Sequence, residues 1–213
     1  MKLYIDEIFK LFKTKDPDEI KLGVRELRYY ETTYYRKYFL DSDQLNILAD
    51  VLEKSMKEAE LKEDEFRNIL LGILVNEIST NETKPSDKDA FLETLRALLD
   101  SYPTAEFYNK PNNPIPSLIQ ILGMYRDNYV VKRLKYDAEN CSPQILLAIG
   151  SWYSNHFTAK IIENNRIDLV KFGVKLQKLK KREAIDFIEN MRRNAASTLR
   201  DWERSDRIPW YLR

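Results

Sequence analysis

Apolar residues recur at intervals of three and four along nearly the whole chain, and no segment alternates with the period of two that a half-buried strand requires. Ten helical stretches are predicted. The first, 2–14, carries Leu3, Ile5, Ile8, Phe9, Leu11 and Phe12 on one broad face. The second opens at Asp16-Pro17-Asp18-Glu19, a capping aspartate followed by proline at the first helical position and acids at the positive end of the helix dipole. It runs to about Leu40 with a break near Thr32-Thr33. Asp41-Ser42-Asp43 caps a third helix bearing Leu45, Leu48, Ala49 and Leu52, and a fourth covers 62–78. Ser86 followed by Asp89 resembles a capping box and opens a fifth helix, 91–99. Beyond it come 117–125, 129–136, a helix begun by Ser142-Pro143 and running to about Ile162, 166–179, and a long amphipathic stretch over 181–203. The fold class predicted is all-α.

Four of the five glycines interrupt these apolar runs almost evenly: Gly23, Gly72, Gly123 and Gly173, at intervals of 49, 51 and 50 residues. A helix-interior glycine costs about 1 kcal/mol relative to alanine, so its repetition calls for a reason. Close approach of a neighbouring helix supplies one, and the chain reads as stacked helical units of about 50 residues. The paired helices and the stretch Asp18-Glu19-Ile20-Lys21-Leu22-Gly23-Val24-Arg25 resemble the HEAT-like group of helical repeats. The resemblance implies a right-handed stack of antiparallel helix pairs. The period departs from the usual one, and the repeated proline-aspartate-arginine signature is missing.

Between Pro103 and Pro116 lie four of the eight prolines, with Asn109, Asn112 and Asn113 among them, and no helix is expected to cross this segment. The chain is either one helical-repeat domain over 1–213 or two halves, 1–102 and 115–213, joined by the proline-rich loop 103–116.

Composition narrows the function classes. One cysteine, Cys141, and one histidine, His156, exclude a histidine-rich zinc site and a nucleophile set that needs spare histidines. His156 lies in an aromatic run and reads as a packed residue; Cys141 reads as an inert buried thiol. The glycines are too dispersed for a phosphate-cradling loop. No cofactor, metal site or catalytic residue is expected, although a carboxylate-only enzyme stays open as a third reading. The first residues, Met1–Glu7, hold two acids where a secretory leader needs an unbroken apolar stretch, and no window resembles a membrane span. A cytoplasmic protein without a membrane partner is expected.

The formal charge of +1 hides a polarity. Residues 41–100 hold 7 bases and 15 acids, whereas 166–213 hold 13 bases and 7 acids. These segments are candidates for pairing in a homo-oligomer or for meeting a charged partner. Two clusters stand out. Tyr29, Tyr34, Tyr35, Arg36 and Tyr38 offer more aromatic surface than one buried stripe requires, and tyrosine with arginine is typical of interface hot spots. Lys171, Lys175, Lys178 and Arg182 form a like-charged stripe at helical spacing, followed by Arg192 and Arg193. The reading favoured is a non-enzymatic binding module for another protein. The alternative is nucleic-acid binding through the basic stripe, of the kind seen in helical-repeat DNA-repair proteins, with Trp202 or Trp210 stacking on bases.

Overall fold

The computed structural model describes residues 4–33, 40–80 and 84–153, with Thr158, Ile161 and Arg182 as single positions beyond. Among the described residues there are nine α-helices, two short 3₁₀ turns and no strand. The all-α expectation holds, and helix packs on helix in a manner compatible with a helical repeat. No described helix is long and apolar enough to cross a membrane.

The chain divides into two compact units, the first comprising Met1–Leu98 with Asn112–Ser117 and the second Leu99–Pro111 with Leu118–Arg213. In the first, α1 (Ile5–Leu11) packs on α2 (Pro17–Thr33), α2 on α4 (Asp64–Thr80), and α3 (Ser42–Lys57) on α4. Asp16 Oδ1 accepts from Asp18 N at 2.9 Å, which is the capping role expected of it. At α3, Asp41 Oδ1 accepts from Gln44 N at 2.8 Å while Gln44 Oε1 accepts from Asp41 N at 3.1 Å, a reciprocal box. The interior is aliphatic: Leu45, Leu48, Leu52, Leu70, Leu71 and Leu74 are fully buried. Such residues, each contributing about 1.5–3 kcal/mol by burial, hold the helices together.

The helix α5 (Lys88–Asp100) starts earlier than expected, and its cap differs. Asp87 Oδ1, not Ser86, accepts from a first-turn amide, Ala90 N at 3.0 Å. Ser86 is drawn away instead by Asn46 of α3, whose side-chain amide donates to Ser86 Oγ at 2.8 Å and accepts from Ser86 N at 2.7 Å.

The glycine expectation divides. A Cβ on Gly23 would lie 2.7 Å from Phe12 Cε1, and Phe12 is buried and packed edge-on against Phe9 at 5.3 Å. Gly23 therefore answers to a close approach, by an aromatic ring rather than by a helix backbone. Gly72 does not: a Cβ there would meet nothing within 4 Å. Even spacing in sequence is not matched by even spacing of contacts. Gly173 lies outside the described residues.

The second unit contains α6 (Thr104–Phe107), a single turn within the proline-rich segment, then most of α7 (Ile115–Met124), α8 (Tyr129–Asn140), α9 (Pro143–Ile149) and a 3₁₀ turn at Gly150–Tyr153. α8 extends one turn further than its apolar pattern indicated, because the last turn buries Asp137 and Ala138. α7 ends in a Schellman motif: Arg126 N donates to Gly123 O at 2.8 Å and Asp127 N to Leu122 O at 2.9 Å. Arg126 occupies the left-handed position with φ of 56°, where glycine is the usual residue.

Candidate functional site

Among the described residues, polar side chains gather in a buried cluster and around an open cleft, besides smaller pairings. The first is buried in the second unit. Arg133 and Asp137 stand one turn apart on α8, with Arg133 Nε donating to Asp137 Oδ1 at 3.1 Å. The same guanidinium donates through Nη1 to Leu99 O, and through Nη2 to Tyr102 O and to Thr104 Oγ1 at 2.7 Å. Thr104 Oγ1 donates onward to Asp137 Oδ1 at 2.6 Å, and the Tyr153 hydroxyl donates to Asp137 Oδ2 at 2.6 Å. Asp137 and Tyr153 have no exposed surface, and Arg133 retains only 3%.

Leu99 O belongs to the last turn of α5, whose carbonyls have no partner within the helix, and the Arg133 cation meets both that oxygen and the negative end of the α5 dipole. Burial, together with the Asp137 carboxylate, pushes the Tyr153 hydroxyl well above its ordinary range, so it stays a neutral donor. The carboxylate has three donors and no path to solvent. This cluster is chemically saturated: it ties the end of α5, the start of α6, α8 and the 3₁₀ turn into one body, with no group left to act on a substrate.

Arg67 plays a related part in the first unit. It projects from the first turns of α4, is 7% exposed, and donates to Ser55 O, a last-turn carbonyl of α3, and through Nε to Ser55 Oγ at 3.3 Å. The sequence reading missed both arginines. The signal for Arg133 was present: Val130, Arg133, Leu134, Asp137 and Ala138 share one stripe, so an i,i+4 ion pair falls on the buried face of α8.

The second place is open. A cleft of about 190 Å³ lies between α3 and α5 and is lined also by Pro85-Ser86-Asp87, which the Asn46 clasp holds in place. Ala49, Ala90 and the buried Phe91 line it with apolar surface. Asp50, Glu53 and Asp87 add carboxylates to its lining. Glu53 pairs with Lys57 one turn along its own helix, and Asp50 is exposed with no ion pair among the described residues. The cleft is smaller than the roughly 300–1,000 Å³ of typical small-molecule sites. It has room for projecting side chains rather than a whole ligand.

Of the tyrosine cluster, Tyr29 is described and 50% exposed near the end of α2; Tyr34, Tyr35, Arg36 and Tyr38 lie outside the described residues. Of the basic stripe, Arg182 is helical and exposed, while Lys171, Lys175, Lys178, Arg192 and Arg193 lie outside, as do His156, Trp202 and Trp210. Cys141 is buried at 3% exposure, immediately after α8. Among the described residues no group of three or more His, Cys, Asp or Glu is placed to hold a metal ion. No family profile, curated protein or solved structure matches the chain.

Proposed function

We propose that this chain is a non-enzymatic helical binding module that takes a basic segment of a protein partner in the α3–α5 cleft. The observation that carries the reading is the cleft itself: the apolar surface of Ala49, Ala90 and Phe91 beside the carboxylates of Asp50, Glu53 and Asp87 suits the aliphatic stems and the charges of lysine or arginine. A formal charge of −8 over residues 41–100 (7 bases against 15 acids) extends the same field around it and would speed encounter with a cation. In this reading the helices form a HEAT-like stack of antiparallel pairs. The packing of α1 on α2 and α3 on α4, with α2 on α4 between them, supports that arrangement.

The test is a fluorescence-anisotropy titration of the full chain with a labelled helical Lys/Ala peptide, at 25 and 300 mM salt. Each carboxylate contact is worth about 0.2–1 kcal/mol, so Asp50→Lys with Glu53→Lys weakens binding about tenfold. Salt weakens binding in the wild type by a similar factor. Equal affinity of wild type and variant for the peptide overturns the reading. If an oligonucleotide instead binds, and binds equally well to the variant, recognition belongs to the basic stripe.

A further inference from the structure

The chain carries its own candidate for the cleft. Lys171, Lys175, Lys178 and Arg182 are spaced by four, three and four residues, so on one helix they share a face, and Arg182 is helical and exposed. Like charges at these spacings repel, so the stripe gains when an acidic surface covers it. Two such lysines one turn apart have Cβ atoms about 5–6 Å from each other. That separation suits two side chains entering one cleft, with their stems toward Ala49, Ala90 and Phe91 and their ammonium groups toward Asp50, Glu53 and Asp87.

Resting on the cleft reading above, we propose that the occupant is the 166–182 segment of a second copy, so that the protein self-associates head to tail through charge. The sign of both surfaces favours this occupant: 41–100 carries a formal −8 and 166–213 a formal +6 (13 bases against 7 acids), and the near-zero charge of the whole chain leaves no net repulsion between copies. The interface is heterologous, since the surface that gives differs from the surface that receives. It therefore closes into a ring or grows into a chain with concentration.

Analytical ultracentrifugation of the full chain tests this. The expected result is mass rising with protein concentration at 25 mM salt and a monomer at 300 mM. Asp50→Lys/Glu53→Lys alone, and Lys171→Glu/Lys175→Glu alone, each weaken association at least tenfold; Lys178→Glu/Arg182→Glu replaces the second variant if its circular dichroism shows it misfolded. Mixing one acidic-cleft reversal with one basic-stripe reversal places a basic cleft beside a basic stripe on one chain and an acidic pair on the other. The two wrong signs then stay wrong within each homotypic contact, but the basic cleft of the first chain accepts the acidic stripe of the second, and the acidic cleft of the second accepts the basic stripe of the first. The mixture accordingly assembles at equal stoichiometry, as alternating rings or chains that neither variant forms alone. A monomer at low salt across the concentration range, or a mixture that stays monomeric, overturns the proposal. If the Lys/Ala peptide still binds while the chain stays monomeric, the homotypic partner fails and the cleft reading stands.

Discussion

Replacing Arg133 with methionine tests whether the buried cluster of the second unit is as dry and as fully paired as its geometry shows. Methionine keeps most of the stem and removes the cation. Asp137 is then left inside the protein with two neutral donors, Thr104 and Tyr153, and without its counter-charge. Breaking a buried ion pair by deleting one partner costs about 3–5 kcal/mol. Tyr102 O also loses its guanidinium donor, a separate penalty of about 1–3 kcal/mol that overlaps the first because the same atoms relax together. A loss of about 4 kcal/mol is expected, a large part of the roughly 5–15 kcal/mol that a domain has. Tyr153→Phe removes one hydrogen bond to a charged acceptor and costs less, about 1.5–3 kcal/mol. Urea unfolding followed by tryptophan fluorescence reads this unit selectively, since Trp152, Trp202 and Trp210 all fall in its chain range. A double-mutant cycle on Arg133 and Asp137 should return a coupling of about 1 kcal/mol or more. The deficit of Arg133→Met should also be the same at 50 and 500 mM salt, because a pair without solvent contact is hardly screened. A loss below about 1 kcal/mol with an unchanged m-value would refute the reasoning.

Two glycines of the sequence rhythm, Gly23 and Gly72, should respond in opposite directions. Gly72→Ala meets open space and removes helix-interior glycine, so it stabilises by about 0.5–1 kcal/mol; Gly23→Ala pushes into Phe12 and destabilises by about 1–3 kcal/mol, both measurable by urea midpoint. Arg126→Gly relieves the left-handed backbone at the end of α7 and should raise stability by about 0.5–1 kcal/mol; a lowered thermal midpoint would contradict that account. Tyr125 and Tyr153 are both raised by burial, so the folded state keeps protons that the unfolded state sheds above pH of about 10. Their contribution is complete below that pH and declines as pH rises, at about 1.4 kcal/mol per pH unit for each group. The stability difference between wild type and Tyr153→Phe should therefore shrink between pH of about 9 and about 11; a constant difference would show that the hydroxyl does not hold its proton.

Local chemistry made the helices legible, because the apolar period of 3.6 and the caps at Asp16 and Asp41 act within a turn of the residues that carry them. The start of α8 at Tyr129 and the buried thiol of Cys141 were readable for the same reason. Charge polarity, too, is a property of the chain alone. Ser86 illustrates where such reading stops: its spacing to Asp89 looked like a cap, but Asn46, forty residues away, takes its hydroxyl and amide. Gly23 and Gly72 look alike in sequence and differ only in what stands opposite them. The cleft is lined by residues of α3 and α5 some forty positions apart, and Arg133 became a cap for α5 only when the chain folded back over more than thirty residues. Periodicity and capping are encoded within a few residues; contacts, cavities and the pairing of buried charges depend on which distant surfaces meet, and tertiary packing alone decides that.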